Sequence, residues 1–131
     1  MNLLISIHPE HVEKILSGKK NCEYRKTIFK KPKDEIDRVY IYCTSPVKKI
    51  VASFEIGRII KSSPREIWKE TKRESGTNRK EFMDYFDGYR VGYGIEITDL
   101  KELEEPVNPY EEIEDFHAPQ GYCYIENFKF L

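Results

Sequence analysis

Apolar and polar positions alternate with period two over several short runs of this chain, and they recur at helical spacing over three others. Residues 3–7 form a compact apolar run that reads as a first strand. Pro9 suits the first turn of a helix, and Val12, Ile15 and Leu16 give that helix a short apolar stripe. Gly18 then ends it in the manner of a left-handed cap. Residues 22–25 read as the next strand, with Glu23 and Arg25 on one face and Cys22 and Tyr24 on the other. Lys20 is out of parity with Glu23, so it is expected in the turn, reaching the Glu23 face with its long stem. A basic loop over residues 27–34 leads to the β-rich run 39–43, a turn at Thr44-Ser45-Pro46 and a long strand over 49–60. That strand carries Ile50, Ala52, Phe54 and Ile56 on one face.

Ser63-Pro64-Arg65-Glu66 has the form of a capping box with proline at the first helical position. It predicts a helix carrying Ile67 and Trp68 that fades near Gly76. A second helix is expected from Thr77 or Asn78 to Gly88, carrying Phe82, Tyr85 and Phe86. From 91 to 97, Val91, Tyr93, Ile95 and Ile97 alternate with Gly92, Gly94 and Glu96, a strand with an open, small-residue face. An acidic, proline-containing loop and a last strand over 122–130 complete the order. The pattern predicts an α+β fold, a small and mostly antiparallel β-barrel with a short N-terminal helix and an inserted helical pair. At 131 residues the whole of 1–131 is expected to be one domain.

Composition sharpens this picture in two respects. The apolar share is 39% and the charged share 34%, which gives a core together with a heavily charged surface. The apolar start at residues 3–7 lacks a basic flank and is too short for a signal peptide, and no run is long enough for a membrane span. Cys22, Cys43 and Cys123 are odd in number and lack CxxC spacing, against both a disulfide framework and a cysteine zinc site. A reducing cytoplasm is the expected location. The net charge of −1 conceals an asymmetry. Eight basic residues face one acid between Lys14 and Lys33, and ten acids face one base between Glu96 and Glu126. A polyanionic partner is therefore compatible with a neutral total, and so are two solvated faces of opposite sign.

The densest chemistry lies in Gly18-Lys19-Lys20-Asn21-Cys22-Glu23-Tyr24-Arg25. Three long ionisable side chains within six residues are costly to bury unless paired and hydrogen-bonded, so they form either a structural ion network or the lining of a site. Lys20 is a point charge suited to phosphate, and Arg25 a planar fork for a phosphate oxygen or a base edge. Glu23 can fix Arg25 or accept from an exocyclic amine. Tyr24, Tyr42 and Tyr93 are candidates for a stacking surface, although Tyr24 shares the Cys22 face and belongs more naturally to the core. Lys69, Lys72, Arg73, Arg79 and Lys80 give the inserted helices a basic face. His8, His11 and His117 have no metal-ligand spacing, so no metal is expected. No phosphate-binding glycine loop appears, and no Ser-His-Asp arrangement follows from spacing.

The spacing GxKxxExR at Gly18, Lys20, Glu23 and Arg25 resembles the signature of the ASCH family. Ser6-Ile7-His8-Pro9 leading to Gly18-Lys19-Lys20, Tyr85-Phe86-Asp87-Gly88 before 91–97, Glu105-Pro106 and Ala118-Pro119-Gln120-Gly121-Tyr122 resemble further segments of its regulator-like members, with Gly121 where a serine is more usual. The resemblance implies a PUA-like barrel that binds RNA or a nucleotide-like small molecule, with a role in transcription or translation control and no cofactor. Lys20, Glu23 and Arg25 would form the ligand site, with Tyr42, Thr44 and Gln120 lining it. Some small ASCH-like enzymes are amidohydrolases of acylated nucleosides that use a lysine, a threonine three residues later and a distant glutamate. Lys20 matches that lysine, but Glu23 stands in the threonine's place. That departure favours binding over catalysis. Hydrolysis of a modified nucleoside, or ribonuclease action, with Lys20 and Glu23 as an acid–base pair, is the alternative. Nothing in the pattern specifies an oligomeric state.

Overall fold

The computed structural model describes residues 1–126. In chain order the elements are β1 (Asn2–Ile7), α1 (Pro9–Leu16), β2 (Cys22–Arg25), β3 (Val39–Cys43), β4 (Lys49–Ser62), α2 (Pro64–Thr71), α3 (Arg79–Tyr85), β5 (Gly92–Val107), α4 (Pro109–Glu112) and β6 (Tyr122–Ile125). The six strands form one mixed sheet in the order β2-β5-β4-β3-β1-β6. β1 pairs in parallel with β3, whereas β1–β6, β2–β5 and β3–β4 are antiparallel. The fold is α+β, with the short N-terminal helix and the helical pair inserted between β4 and β5. The expected last strand is observed over Tyr122–Ile125, and positions 127–130 of its expected span lie outside the described residues.

Two compact units make up the chain. One comprises residues 1–12, 31–55 and 99 onward, the other 13–30 and 56–98. In the first, Leu4, Tyr40, Tyr42 and Ile50 form a fully buried cluster, against which Leu103, Val107, Ile113 and Phe116 pack. Arg38 braces this unit by donating to Ser53 Oγ at 2.9 Å, to Asp99 Oδ2 at 2.8 Å and to the Asp99 carbonyl at 2.7 Å. In the second unit the core is Cys22, Tyr24, Ile67, Phe82 and Phe86.

Local chemistry accounts for the boundaries of the inserted helices. Ser63 caps α2 by accepting from the Glu66 amide at 3.3 Å, with Pro64 in the first turn. Asn78 caps α3 by accepting from the Glu81 amide at 2.9 Å. α2 ends at Thr71, and its continuation toward Gly76 is a 3₁₀ turn over Lys72–Glu74.

Two expectations are corrected. The acidic stretch after residue 97 is not a loop, because β5 continues through it to Val107. Leu100, Leu103 and Val107 are the half-buried positions of this stretch, and their spacing of three and four hides a strand. The face of Gly92 and Gly94 is not open either. A Cβ at Gly92 would come within 2.5 Å of the Phe86 ring, and one at Gly94 within 3.2 Å of Cys22 Sγ. These positions are small because the inserted helices and β2 press onto them.

Candidate functional site

The turn after α1 sets up the Lys20–Glu23–Arg25 cluster. Gly18, at φ +83°, donates to the Ile15 carbonyl at 3.1 Å, and the Lys19 amide donates to the Lys14 carbonyl at 2.9 Å. This is a Schellman closure with glycine in the left-handed position that a Cβ disfavours. The chain then turns onto the segment following α2. Lys20 forms a single antiparallel bridge with Ser75, and the Asn21 amide donates to the Glu74 carbonyl at 2.8 Å. Gly76 makes room for this approach, since a Cβ there would lie 2.8 Å from Lys20 Cβ. From Cys22 onward β2 pairs with β5, placing Glu23 opposite Ile95 and Arg25 opposite Tyr93.

Glu23 sits between two cations and uses a different oxygen on each. Lys20 Nζ lies 3.6 Å from Oε1, and Arg25 donates to Oε2 from Nη2 at 2.9 Å and from Nε at 3.3 Å. Lys20 is 3% exposed and Glu23 6%, whereas the Arg25 side chain, at 15%, reaches nearer to solvent. The Lys20 ammonium also donates to the Ser75 carbonyl at 3.4 Å and stands 4.7 Å from the centre of the Tyr24 ring. Burial lowers the Lys20 pKa below its ordinary 10.5, and the Glu23 carboxylate opposes that shift. Burial likewise pushes the neighbouring Cys22 thiol up to about 12 and raises the Tyr24 phenol, whose hydroxyl meets Thr71 Oγ1 at 2.7 Å. The cluster is thus a carboxylate shared by a deeply buried amine and a shallower guanidinium. Its innermost member is a base whose neutral form burial favours.

A family model described as a domain of unknown function (DUF365) matches residues 3–115. The ASCH domain-containing ribonuclease of Zymomonas mobilis is 29% identical over 126 residues, which span 93% of this chain and 82% of that protein. The crystal structure of ASCH from Zymomonas mobilis matches with a TM-score of 0.86 at 26% identity, covering 96% of this chain and 88% of that one. The chain is an ASCH-domain protein of the DUF365 family. The large ribosomal subunit protein uL22 of Ureaplasma parvum is 24% identical over 125 residues, and the match spans 39% of that protein.

The ASCH domain distributes the candidate residues over both units. Lys20, Glu23 and Arg25 lie together in the unit of residues 13–30 and 56–98, and Tyr42, Thr44 and Gln120 belong to the other. Tyr42 is buried beneath Tyr110 and Phe116, with ring centres 6.5 and 5.8 Å away, and its hydroxyl meets that of Tyr110 at 3.2 Å. Thr44 Oγ1 lies 3.3 Å from Nδ1 of the exposed His8, and Gln120 is exposed. Tyr24 packs edge-on against Phe82, with ring centres 4.8 Å apart. The exposed tyrosines are instead Tyr85, Tyr89, Tyr110 and Tyr124. Sequence reasoning missed these as candidate surface rings. The available signal was the glycine at 88, whose turn ends the helix and leaves Tyr89 outside the apolar stripe. Among the described residues, no three His, Cys, Asp or Glu side chains gather as metal ligands, and no helix is long and apolar enough to cross a membrane.

Proposed function

We propose that this protein is a single ASCH domain over residues 1–131 that binds RNA, or a nucleotide-like small molecule, through Arg25. The observation that carries the reading is the bracing of the Arg25 fork. Glu23 Oε2 holds two of its nitrogens, and Glu23 is itself anchored from beneath by Lys20. A guanidinium oriented in this way loses little further freedom on meeting a phosphate or a base edge. Lys20 and Glu23 then act by positioning Arg25. In the other unit, taken by itself, Tyr42 supports Tyr110, and Thr44 and Gln120 remain polar candidates for ligand contact. The similarity to a protein named as a ribonuclease supports RNA as the ligand class. A part in transcription or translation control is the role this reading implies.

The test is equilibrium binding of short RNAs over a range of salt. Arg25→Ala is expected to weaken binding and make the salt dependence shallower by about 0.7 in the log–log slope, the value for one lost phosphate contact on a single strand. Wild-type protein that shows no RNA affinity at low salt refutes the polymer reading and leaves the small ligand.

One feature favours a second reading, hydrolysis of RNA or of a modified nucleoside. Burial lowers the pKa of Lys20 while a carboxylate stands 3.6 Å away, a pairing suited to proton transfer. Absence of turnover by the wild-type protein on both RNA and acylated cytidines refutes it.

A further inference from the structure

We infer that Tyr85, Tyr89 and Lys26 form a stacking platform for an unpaired base of single-stranded RNA, an inference that rests on the RNA-binding reading and extends it to a surface beside Arg25. Tyr85 and Tyr89 are 40% and 46% exposed, and with Val91 they place three of the exposed large apolar side chains within seven residues. Their positions are fixed by the way α3 ends. Gly88, at φ +84°, turns the chain, and the Tyr89 amide donates to the Phe86 carbonyl at 2.9 Å. Tyr85 packs on Phe86 with ring centres 4.8 Å apart, and its hydroxyl donates to the Tyr24 carbonyl of β2 at 3.2 Å. The orientation of the Tyr85 ring is therefore set before any ligand arrives, and the backbone at Gly88 places Tyr89 beside it.

The Lys26 ammonium stands over both rings, 4.7 Å from the centre of Tyr85 and 5.0 Å from that of Tyr89. A cation held over two exposed rings next in sequence to Arg25 joins a π-surface to positive charge, the combination that holds single-stranded nucleic acid. Arg90 adds a further exposed cation. The carboxylates of this segment are the exposed Asp87 and Asp84, and Lys80 engages Asp84 at 3.1 Å. In the bound state a base takes the ring faces that Lys26 covers. The displaced ammonium, on its flexible stem, pairs with the phosphate of the same nucleotide. Duplex RNA keeps its bases stacked and paired, so it offers the rings nothing equivalent.

The experiment is binding of a short single-stranded RNA carrying 2-aminopurine, followed by base fluorescence and by affinity across a salt series. Tyr89→Ala is expected to weaken binding about tenfold, leave the salt slope unchanged and relieve the quenching of 2-aminopurine, and Tyr89→Phe to restore both. Lys26→Gln is expected to keep the quenching and to make the salt slope shallower by about 0.7. If wild-type protein binds the RNA but Tyr89→Ala, verified as folded by circular dichroism, binds and quenches like wild type, the platform is overturned while the RNA reading stands. Equal competition by duplex RNA also overturns it. If wild-type protein fails to bind at low salt, the RNA reading itself falls and the platform with it.

Discussion

Replacing Glu23 by glutamine tests the cluster at its centre. The substitution preserves shape and removes the charge on which two cations depend. At 3.6 Å and an effective dielectric constant of about 20, the Lys20–Glu23 attraction is about 4–5 kcal/mol, set against the cost of burying both groups. Because Lys20 is 3% exposed, its ammonium in the variant keeps only the Ser75 carbonyl at 3.4 Å and the Tyr24 ring among the contacts described above. Glutamine replaces one of the two carboxylate oxygens by an NH2 donor, so the cation on that side faces a donor in place of its acceptor. Breaking one partner of a buried pair typically costs about 3–5 kcal/mol, and that loss is expected for Glu23→Gln in urea unfolding at neutral pH.

The pH response gives a second handle on the same variant. A lysine whose folded pKa lies below 10.5 contributes relative stability that is complete above 10.5 and lost as pH falls through the folded value, where the unfolded chain holds the extra proton. Without Glu23 the folded value falls further, so the Glu23→Gln deficit should shrink on going from neutral to moderately alkaline pH. Cys22 acts in the opposite direction, because its stabilisation is present below 9.0 and is lost as pH rises through about 12. The variant is therefore compared with wild type at each pH, where the thiol contribution largely cancels. Lys20→Met with Glu23→Gln removes both charges and should recover much of the loss, since no buried ammonium is then left without its carboxylate. A Glu23→Gln cost below about 1 kcal/mol, the range of exposed pairs, refutes the buried-network argument.

The glycine turns give a graded comparison by thermal melting. Gly18→Ala forces a Cβ into φ +83° with open space around it and should cost about 1–2 kcal/mol, whereas Gly76→Ala adds a 2.8 Å clash with Lys20 Cβ and should cost distinctly more. Equal losses at the two sites would refute the close approach of Gly76 to Lys20. Thiol chemistry tests the burial pattern: Cys22 and Cys43 are buried and Cys123 is only partly so, and burial raises all three pKa values. Cys123 should be alkylated first, with Cys22 and Cys43 reacting only after denaturation, and peptide mapping that finds native-state labelling at Cys22 would contradict this.

Local signals carried much of this fold into the sequence. The Ser63 cap, the Gly18 stop and the strand parity of Glu23 and Arg25 depend on near neighbours in the chain, and neighbours are legible. Parity tells which residues share a face, but not what covers that face. All five residues of β3 are buried, so Tyr42 is enclosed on a strand where alternation alone leaves one side open to solvent. The converse holds at Tyr85 and Tyr89, which sit in an aromatic-rich stretch that reads as core and stand partly in solvent because the chain turns at Gly88. The continuation of β5 to Val107 was hidden for a related reason, since its half-buried residues follow a spacing set by packing and not by strand alternation.

The shared carboxylate also bears on the choice between binding and catalysis. Glu23 favours the charged form of Lys20, which opposes the pull of burial toward a free amine. At the same time it holds the Arg25 fork through its second oxygen. A threonine at position 23, as the resemblance to amidohydrolases would require, has one hydroxyl and no charge, so it could neither sustain the ammonium nor brace the guanidinium. The lysine would be left more nearly neutral and the arginine less constrained, a change that favours proton transfer over anion recognition. On the reading proposed for this chain, one residue therefore sets both the protonation of the buried amine and the order of the cation nearest the solvent.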